Sequence, residues 1–406
     1  MKVLYVTGSC LTNNTSANMS HNAFIQGLIE NGCDVDILMA KDSWGEADKG
    51  LPVWESANYY VFASLSLGER LRRRLHSMAK TESLTGPSQE IDTPAKSPGG
   101  VGWKTLARNA GKKAFYTVFK KDPLYPLEKE WLKNASRFHS DKHYDLVISN
   151  SSPAASHRLV CELKNKERVR FSRWIQIWED PWYHDLYGGQ PKAVEQEEHS
   201  LLRQATEVVY VSPLTLMYQK RYFPDCADKM SCIPLPALRL PEQEKAEEAG
   251  SFGYFGDYYS ATRNLEPFYQ AVRKTGCRCY IYGDSDLRLE TTEEIDVSGR
   301  VTLEKLSAIQ ARTDVLVHLS NLHGGQIPGK IYHYSATDKP ILFILDGTEE
   351  EQAALKEYFG TFDRYCFCKN TVEDICQKMD YLLHNGKNYT AVEAFLPGAV
   401  VRKLLE

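Results

Sequence analysis

The stretch KVLYVTGSCLTNNTSANMSHNAFIQGLIENGCDVDILMA, residues 2–40, decides the fold class. Its two ends, KVLYV and DVDILMA, are short apolar runs typical of buried strands. Between them, SANMSHNAFIQGLIENG carries apolar residues at helical spacing and stops at a glycine. Strand, loop, helix and strand in this order begin a parallel sheet that is covered by helices. We therefore predict an α/β fold.

The same unit recurs on both sides of one charged segment. Before it come YDLVIS, AASHRLVCELKN, SRWIQIW, EVVYVS and CIPLP; after it come SFGYFG, RNLEPFYQAVRKTG, RCYIYGD, TLEKLSAIQART, DVLVHLS, PGKIYHYSA and KPILFIL. The segment itself, ALRLPEQEKAEEAG, is charged and has no apolar periodicity, as expected of a linker. A chain of 406 residues is also longer than the chain length that a single hydrophobic core usually supports. We predict two Rossmann-like doubly wound domains, 1–236 and 251–388, joined by linker 237–250.

Composition narrows the class of protein. The chain is 42% hydrophobic and 25% charged with a net charge of −4, which gives no reason to expect nucleic acid as a partner. No apolar run approaches the roughly 20 residues that span a bilayer, and the apolar start is too short for a secretory signal. The close cysteine pairs have C-x-C spacing, which does not fit the usual zinc motif. We expect reduced thiols in a cytoplasmic protein.

A basic insertion, 64–126, interrupts the first domain. Between Arg70 and Lys121 there are twelve Lys or Arg and three acidic residues. Its second half, WKTLARNAGKKAFYTVFKK, can form a helix with one apolar face bordered by lysine and arginine. Such a helix suits an anionic membrane surface, which predicts peripheral attachment through 70–121. The alternative is a helix that packs on its own domain with a solvated basic face.

The loop after the first strand, TGSCLTNNTSANMS, has no G-x-G-x-x-G, which weakens the case for a dinucleotide-dependent dehydrogenase. A P-loop is also missing. The loop is small and polar, so it either presents backbone N–H groups to a ligand held mainly by the other domain or is a plain connection.

Ligand-binding signals concentrate in the second domain. Arg263 follows the strand in GYFGDYYSATRN, at the carboxyl end where open α/β sheets bind ligands. GGQIPGKIYHY places Lys330 and free backbone N–H groups at the start of a helix, which favours a diphosphate. A helix start with a solvent-facing lysine is the other interpretation.

Taken in order, YFGDYYSATRN, CRCYIYGD, SGRVTLEKLSAIQARTDVLVHLS and GGQIPGKIYHYSATDKPIL resemble family-4 and related retaining glycosyltransferases of the GT-B fold. In the first domain, YDLVISNSSPAASHRLVCELK, WIQIWEDPW and VVYVSPLTLMYQKRYFPDCADKMSCIPLP are similar to the same family. The resemblance covers most of the chain except the basic insertion. It implies two domains facing a central cleft and a nucleotide-sugar donor held mainly by the second domain. By analogy, a final helix over Tyr389–Leu405, within 389–406, packs back on the first domain.

The family's site residues carry over by position, with departures. Arg263 matches a basic residue on the donor diphosphate, Gly325 and His333 stand where two glutamates are usual, and Asp257 stands where an arginine is common. Lys330 is expected to replace the charge missing at 257, so Arg263 and Lys330 are predicted catalytic cations. The predicted donor-binding residues are Gly256, Arg263, Gly283, Asn321, Gly324, Gly325, Gln326, Ile327, Pro328, Gly329, Lys330 and His333.

The acceptor side is assigned to the first domain. Glu179 and Asp180 are placed to take a proton from an acceptor hydroxyl, although Asp180 before a proline can instead organise a turn. The other predicted acceptor-side residues are Ser9, Asn18, His21 and His184. We expect His184 to be a weaker candidate and His21 to lie at the surface. His157 is expected to be structural or exposed, and Trp178 to pack the domain.

The sequence thus predicts a retaining, metal-independent glycosyltransferase without a cofactor. We expect it to move a sugar from a nucleoside-diphosphate donor to a glycan, and we expect that glycan to be lipid-linked, in polysaccharide, lipopolysaccharide or capsule synthesis at the inner membrane face. A nucleotide-sugar epimerase and a non-catalytic GT-B partner subunit are the alternatives. The base, the sugar, the acceptor and the linkage are not specified by the sequence.

Overall fold

The computed structural model describes residues 1–41, 47–65, 124–186, 188–239, 250–385 and 389–406. The basic helix predicted within 70–121 lies outside these residues. Within them, no helix has both the length and the hydrophobicity needed to cross a membrane.

A seven-stranded parallel sheet forms the first half. Its strands are β1 Lys2–Thr7, β2 Asp34–Ala40, β3 Asn58–Phe62, β4 His143–Asn150, β5 Arg170–Trp178, β6 Glu207–Tyr210 and β7 Met230–Cys232, in the order β3-β2-β1-β4-β5-β6-β7. The helices described here are α1 Ser16–Glu30, α2 Lys129–Ala135, α3 Ala155–Asn165, α4 Lys192–Gln204 and α5 Pro213–Tyr222. A 3₁₀ turn over Pro224–Lys229 leads into β7. The order reverses between β1 and β4, so the ligand crevice of this sheet opens there.

The second half repeats the design with six parallel strands. They are β8 Phe252–Phe255, β9 Cys279–Tyr282, β10 Ile295–Ser298, β11 Val315–Leu319, β12 Ile341–Leu345 and β13 Tyr365–Lys369, in the order β10-β9-β8-β11-β12-β13. Its helices are α6 Glu266–Thr275, α7 Leu303–Arg312, α8 Lys330–Ser335, α9 Glu349–Gly360 and α10 Val372–Asn385. These two sheets confirm the α/β prediction of two Rossmann-like units. The boundaries at 236 and 251 stay predictions.

The last helix of the chain joins the two halves. After a 3₁₀ turn over Glu393–Phe395, α11 spans Pro397–Leu405 and packs against α1 of the first sheet. Gly27 permits this contact, because a Cβ there would lie 2.3 Å from the Pro397 carbonyl oxygen and 2.5 Å from Val401 Cγ2. The predicted start at Tyr389 was wrong, since the helix begins at Pro397, a residue suited to the first helical position.

Several other boundaries also differ from the sequence prediction. The strand expected over CIPLP is β7, which ends at Cys232, because Pro234 and Pro236 lack the N–H needed for a ladder. Helix α8 has six residues, fewer than predicted, so its partial positive end is weak. An anion site near Lys330 therefore depends on side-chain charge more than on the helix.

Candidate functional site

The carboxyl ends of the two sheets face each other across a cleft. Gln326, after β11, donates to Asp185 Oδ1 at 3.0 Å and accepts from the Leu186 backbone N–H at 2.9 Å, and both partners follow β5. Nearby, the Cβ position of Gly329 lies 3.7 Å from Ser16 Oγ in the first turn of α1. Loops from both halves therefore line one cleft.

Arg263 is the central cation of this cleft. Its Nε is buried and has no hydrogen-bond partner among the described residues. The loop that carries it is fixed, because the Arg263 amide donates to Tyr259 at 2.8 Å and the Thr262 carbonyl accepts from Leu322 at 2.7 Å. A held cation with an unsatisfied donor is suited to bind an oxyanion.

Lys330 is a second cation without an acidic partner at ion-pair distance in the described part of the chain. Burial, and next the nearby Arg300 charge, lower its pKa to about 8, while Asp257 opposes this. A bound anion would stabilise the protonated amine. Lys330 is therefore a half-buried charge that a diphosphate could satisfy.

Arg300, which the sequence interpretation missed, forms an ion pair with Asp257. Its Nε lies 3.0 Å from Asp257 Oδ1, a second guanidinium nitrogen bonds the other oxygen, and Nε is 3.5 Å from Asp284 Oδ2. Burial raises the pKa of Asp257, but the bonds from Arg300 and from the Asp284 amide outweigh it and lower the pKa. Arg300 is thus paired with two carboxylates, and the expectation that Lys330 takes the place of the charge missing at 257 stays a prediction.

Two carboxyl groups follow β5, and the charge of Arg263 acts on one of them, Asp180. Asp180 is exposed, yet surrounding protein atoms desolvate it and raise its pKa to about 6; Gln326 and Arg263 oppose that rise. Glu179 has a buried Oε1 with no hydrogen-bond partner in the described part of the chain. Burial, and next the charge of Asp180, raise the pKa of Glu179 well above its usual value. The adjacent acids thus differ in environment.

The loop after β11 explains the departure at Gly325. Its carbonyl accepts hydrogen bonds from Ser212 Oγ at 2.5 Å and from Thr215 Oγ1 at 2.9 Å. A Cβ at Gly325 would lie 2.8 Å from the Thr215 nitrogen and 2.9 Å from Tyr218 Cδ2. The glutamate usual at this position in the resembling family has no room here, because the loop packs on the start of α5.

Other predicted donor residues lie around this loop. Asn321 Nδ2 donates to the Gln326 carbonyl at 2.9 Å, and Gly324 has a φ of +83°. His333 lies one turn after Lys330, where burial and next the Lys330 charge lower its pKa to about 3. Gly256, Gly283, Ile327, Pro328 and Gly329 follow strands of the second sheet at the cleft edge.

Close backbone packing requires a glycine at position 283. A Cβ at Gly283 would lie 2.0 Å from the Gly256 carbonyl oxygen and 3.0 Å from the Asp257 nitrogen. The two loops after β8 and β9 therefore touch backbone to backbone. Close packing accounts for this residue without a ligand.

The acceptor-side residues divide into buried and accessible ones. Ser9 Oγ donates to the Ser152 carbonyl at 2.9 Å, and Asn18 is buried with its amide on the carbonyls of Cys10 and Asn13. His184 stacks on Tyr222 with ring centroids 3.6 Å apart. His157 is buried against Trp178, which is itself fully buried.

His21 was expected at the surface, and that expectation was wrong. The residue is fully buried, with Nδ1 3.0 Å from the Tyr5 hydroxyl and Nε2 3.3 Å from the Ser152 carbonyl. Its position on α1, in the second turn, turns the ring inward beneath the loop after β1.

The described residues contain one grouping of possible metal ligands, formed by His199, Asp225 and Cys226 with ligand atoms within 4.8 Å. Arg203 binds the same Asp225 carboxylate at 2.8 Å, so the carboxylate already has a cation. The group precedes β7 and thus lies at the opposite end of the sheet from the cleft.

Two parallel Rossmann-like sheets facing one cleft, with a final helix that returns to the first half, define the GT-B fold. Solved structures with this architecture cover nearly all of the chain. AviGT4, a glycosyltransferase involved in avilamycin A biosynthesis, has a TM-score of 0.53 at 11% identity, covering 100% of this chain and 96% of its own. A UDP-N-acetylglucosamine 2-epimerase has a TM-score of 0.51 at 10% identity, with coverages of 100% and 94%.

A glycosyltransferase from Rickettsia africae is less similar, with a TM-score of 0.45 at 12% identity, covering 100% of this chain and 96% of its own. No protein-family profile matches the sequence, and no curated protein matches it significantly. At these identities the likeness defines the fold.

Replacing Gly325 with the glutamate that is usual in the resembling family should lower the stability of the protein. We expect Gly325→Glu to destabilise it by about 1–3 kcal/mol, the usual effect of overpacking, because the new side chain meets α5. Calorimetry should show a lower Tm. Gly360→Glu is the control, since a Cβ at Gly360 has no neighbour within 4 Å. An unchanged Tm for Gly325→Glu, or a gain of activity, would contradict this account of the loop.

Anion binding should depend on the charge of Lys330. Below pH 8 the amine is protonated and attracts a diphosphate; as pH rises through about 8 the charge is lost. A charge-assisted hydrogen bond contributes about 1.5–3 kcal/mol, so Kd should weaken roughly 10- to 150-fold by pH 10. Titration calorimetry from pH 7 to 10 measures this. Lys330→Arg should remove the pH step, and an unchanged step in that variant would assign it to another group.

Proposed function

We propose that this protein is a glycosyltransferase that takes a sugar from a nucleoside-diphosphate donor. One observation carries the proposal: the cleft of a GT-B fold holds two cations without acidic partners at ion-pair distance among the described residues, Arg263 and Lys330, and the charge of Arg263 acts on the Asp180 carboxyl. The cations match the charge of a diphosphate, and the carboxylate matches the need for a base.

The donor would bind with its diphosphate on Arg263 and Lys330. Cleavage of the bond to the sugar leaves negative charge on the departing diphosphate, and cations fixed in advance stabilise that charge in the transition state. Two backbone hydrogen bonds hold the loop of Arg263, and burial lowers the pKa of Lys330. Both observations support this role, because a bound diphosphate would stabilise the positive charge of each side chain.

Asp180 would take the proton of the acceptor hydroxyl. A pKa of about 6 keeps its carboxylate ionised at neutral pH while leaving it basic enough to accept a proton. Its contact with Gln326 ties it to the loop that carries the donor site. The base is thus joined to the loop that precedes Lys330.

The proposal also covers the stereochemistry of transfer, the acceptor and the membrane. We propose transfer with retention, as in the resembling family, and work by Arg263 and Lys330 in place of a metal or cofactor. We also propose a glycan acceptor, lipid-linked, used in polysaccharide, lipopolysaccharide or capsule synthesis. The basic segment 70–121 motivates peripheral binding at the cytoplasmic membrane face.

A second candidate function is epimerisation of a nucleotide sugar. The similarity of the fold to a UDP-N-acetylglucosamine 2-epimerase favours it. A non-catalytic partner subunit is the third, favoured by Gly325 and His333 at the positions where the resembling family has glutamates.

Turnover separates these three functions. The protein is incubated with UDP-, GDP- and dTDP-sugars, with and without a glycan acceptor, and free diphosphate and sugar products are measured. A transferase releases diphosphate and extends the acceptor; an epimerase changes the sugar without any acceptor. Binding without either product would overturn both enzymatic assignments and favour the partner subunit.

A further inference from the structure

One buried carboxyl group of the first half contacts the segment that carries Asp180. Glu198, in the middle of α4, is fully buried. Its Oε2 accepts a hydrogen bond from the Tyr183 backbone N–H at 2.8 Å, and its Oε1 accepts one from the Trp182 backbone N–H at 3.3 Å. Two consecutive amides after β5 therefore share a single carboxyl group.

These two contacts require a carboxylate. A backbone N–H only donates, so both oxygens of Glu198 must accept, whereas a glutamine would offer one oxygen and turn its NH2 group toward the other amide. No lysine, arginine or histidine among the described residues lies at ion-pair distance from Glu198. The bonds from the two amides therefore compensate for burying the carboxyl group.

Asp180 lies between two points at which the segment 179–186 is held. At the start of the segment, the Glu179 N–H donates to Ser151 Oγ at 3.2 Å. In the middle of the segment, two and three residues after Asp180, the amides bind Glu198. The backbone on both sides of Asp180 is thus fixed by side chains of the first half.

The far end of the same segment makes a contact across the cleft. Asp185 Oδ1 accepts from Gln326 Nε2 at 3.0 Å, and the Leu186 N–H donates to Gln326 Oε1 at 2.9 Å. Gln326 belongs to the loop that precedes Lys330. Glu198 therefore holds the stretch between the proposed base and a contact with the donor-binding half.

We propose that Glu198 is a positioning residue whose carboxylate holds the segment 179–186 from inside the first half and so fixes Asp180 for the acceptor hydroxyl. This inference deepens the proposed function and rests on it. Because Glu198 is fully buried, it touches neither donor nor acceptor. Its loss should therefore change the rate of transfer and leave the affinity for a diphosphate unchanged.

Amide hydrogen exchange of the whole protein tests the contact without a substrate. At pH 8, above the Glu198 pKa of about 7 that burial produces, mass spectrometry of fragments within 180–186 should find the Trp182 and Tyr183 amides protected. In Glu198→Gln they should exchange roughly 10- to 150-fold faster, the change expected when a hydrogen bond to a charged group is lost. Unprotected amides in the wild type, or equal exchange in variant and wild type, would overturn the inference.

Glu30→Gln is the control for the loss of one carboxylate. Glu30 ends α1 and lies 3.8 Å from the Arg239 guanidinium, so this variant should exchange like the wild type over 180–186. Faster exchange in both variants would assign the effect to net charge and contradict a specific role of Glu198. The wild-type protection needs no variant, so it decides the contact even if Glu198→Gln does not fold.

Kinetics test the consequence for catalysis. Glu198→Gln should lose on the order of 10- to 100-fold in kcat, because a small misplacement of a catalytic group is costly. Its diphosphate affinity should stay that of the wild type, since Arg263 and Lys330 belong to the other half. A merely structural defect would lower both quantities, and that outcome would contradict the proposal.

A double variant shows whether Glu198 acts through Asp180. In an Asp180→Asn background, Glu198→Gln should cost little more, because the base that it positions is already absent. An equal loss in both backgrounds would overturn a role through Asp180. Faster amide exchange with no transfer from any donor sugar would contradict the proposed function and the role of Asp180 with it, while confirming that Glu198 holds the segment.

Discussion

We expect Asp180→Asn to lower the transfer rate by roughly 100- to 10,000-fold, the usual range for a positioned general base. The amide keeps the size of the carboxyl and its contact with Gln326, so the cleft geometry should persist. Donor binding should change little, because Asp180 acts on the acceptor. The loss should therefore appear in kcat.

The pH profile provides the second readout for Asp180. In the wild type, activity should rise as pH increases through about 6, because the carboxylate form is the active one. The variant should lack this rise. Asp141→Asn is a suitable control, since the Asp141 side chain is 95% exposed and lies before β4, away from the cleft. A variant that keeps wild-type kcat would exclude Asp180 as the base.

The second large effect should follow removal of Arg263. We expect Arg263→Ala to lower kcat/KM by on the order of 100- to 1,000-fold, the typical loss when one donor to a developing oxyanion is removed. The guanidinium has a buried, unsatisfied Nε and no acidic partner at ion-pair distance among the described residues. We therefore expect its removal to change the stability of the fold little and to weaken stabilisation of the departing diphosphate strongly.

Arg273→Ala controls for the loss of one arginine from the same half. Arg273 is exposed in the last turn of α6, with its guanidinium carbon 6.0 Å from the Tyr269 ring centre, and should be dispensable. Diphosphate affinity measured by calorimetry should fall in Arg263→Ala and stay constant in Arg273→Ala. Equal affinities in the two variants would remove Arg263 from the donor site.

The central strands of both sheets could be predicted from the sequence, whereas three of the four edge strands could not. β1, β4, β8 and β11 are buried on both faces, so each is a continuous apolar run. The strands missed were β3, β10 and β13, which lie at sheet edges and are only partly buried. An edge strand packs on fewer neighbours, so its sequence carries a weaker apolar signal.

The residues of the candidate site were likewise predicted only in part from the sequence. Arg263, Lys330, Asp180 and Gln326 follow strands or glycine-rich loops, and their position in the sequence already indicated the cleft. Arg300 was missed because its partner Asp257 lies 43 residues away, and only the fold of the chain brings the two together. The buried hydrogen bond from Asn150 to the Tyr5 hydroxyl was missed for the same reason, since the two residues lie 145 positions apart.

The most direct test of the account is whether the cleft binds a nucleoside diphosphate through its cations. UDP, GDP, dTDP and ADP are titrated by calorimetry at pH 7 into the wild type, into Arg263→Ala/Lys330→Ala and into Arg273→Ala. The account predicts that one diphosphate binds the wild type and Arg273→Ala equally, and binds the double variant at least about 100-fold more weakly. Equal affinity for the double variant, or no binding of any diphosphate to the wild type, would contradict it.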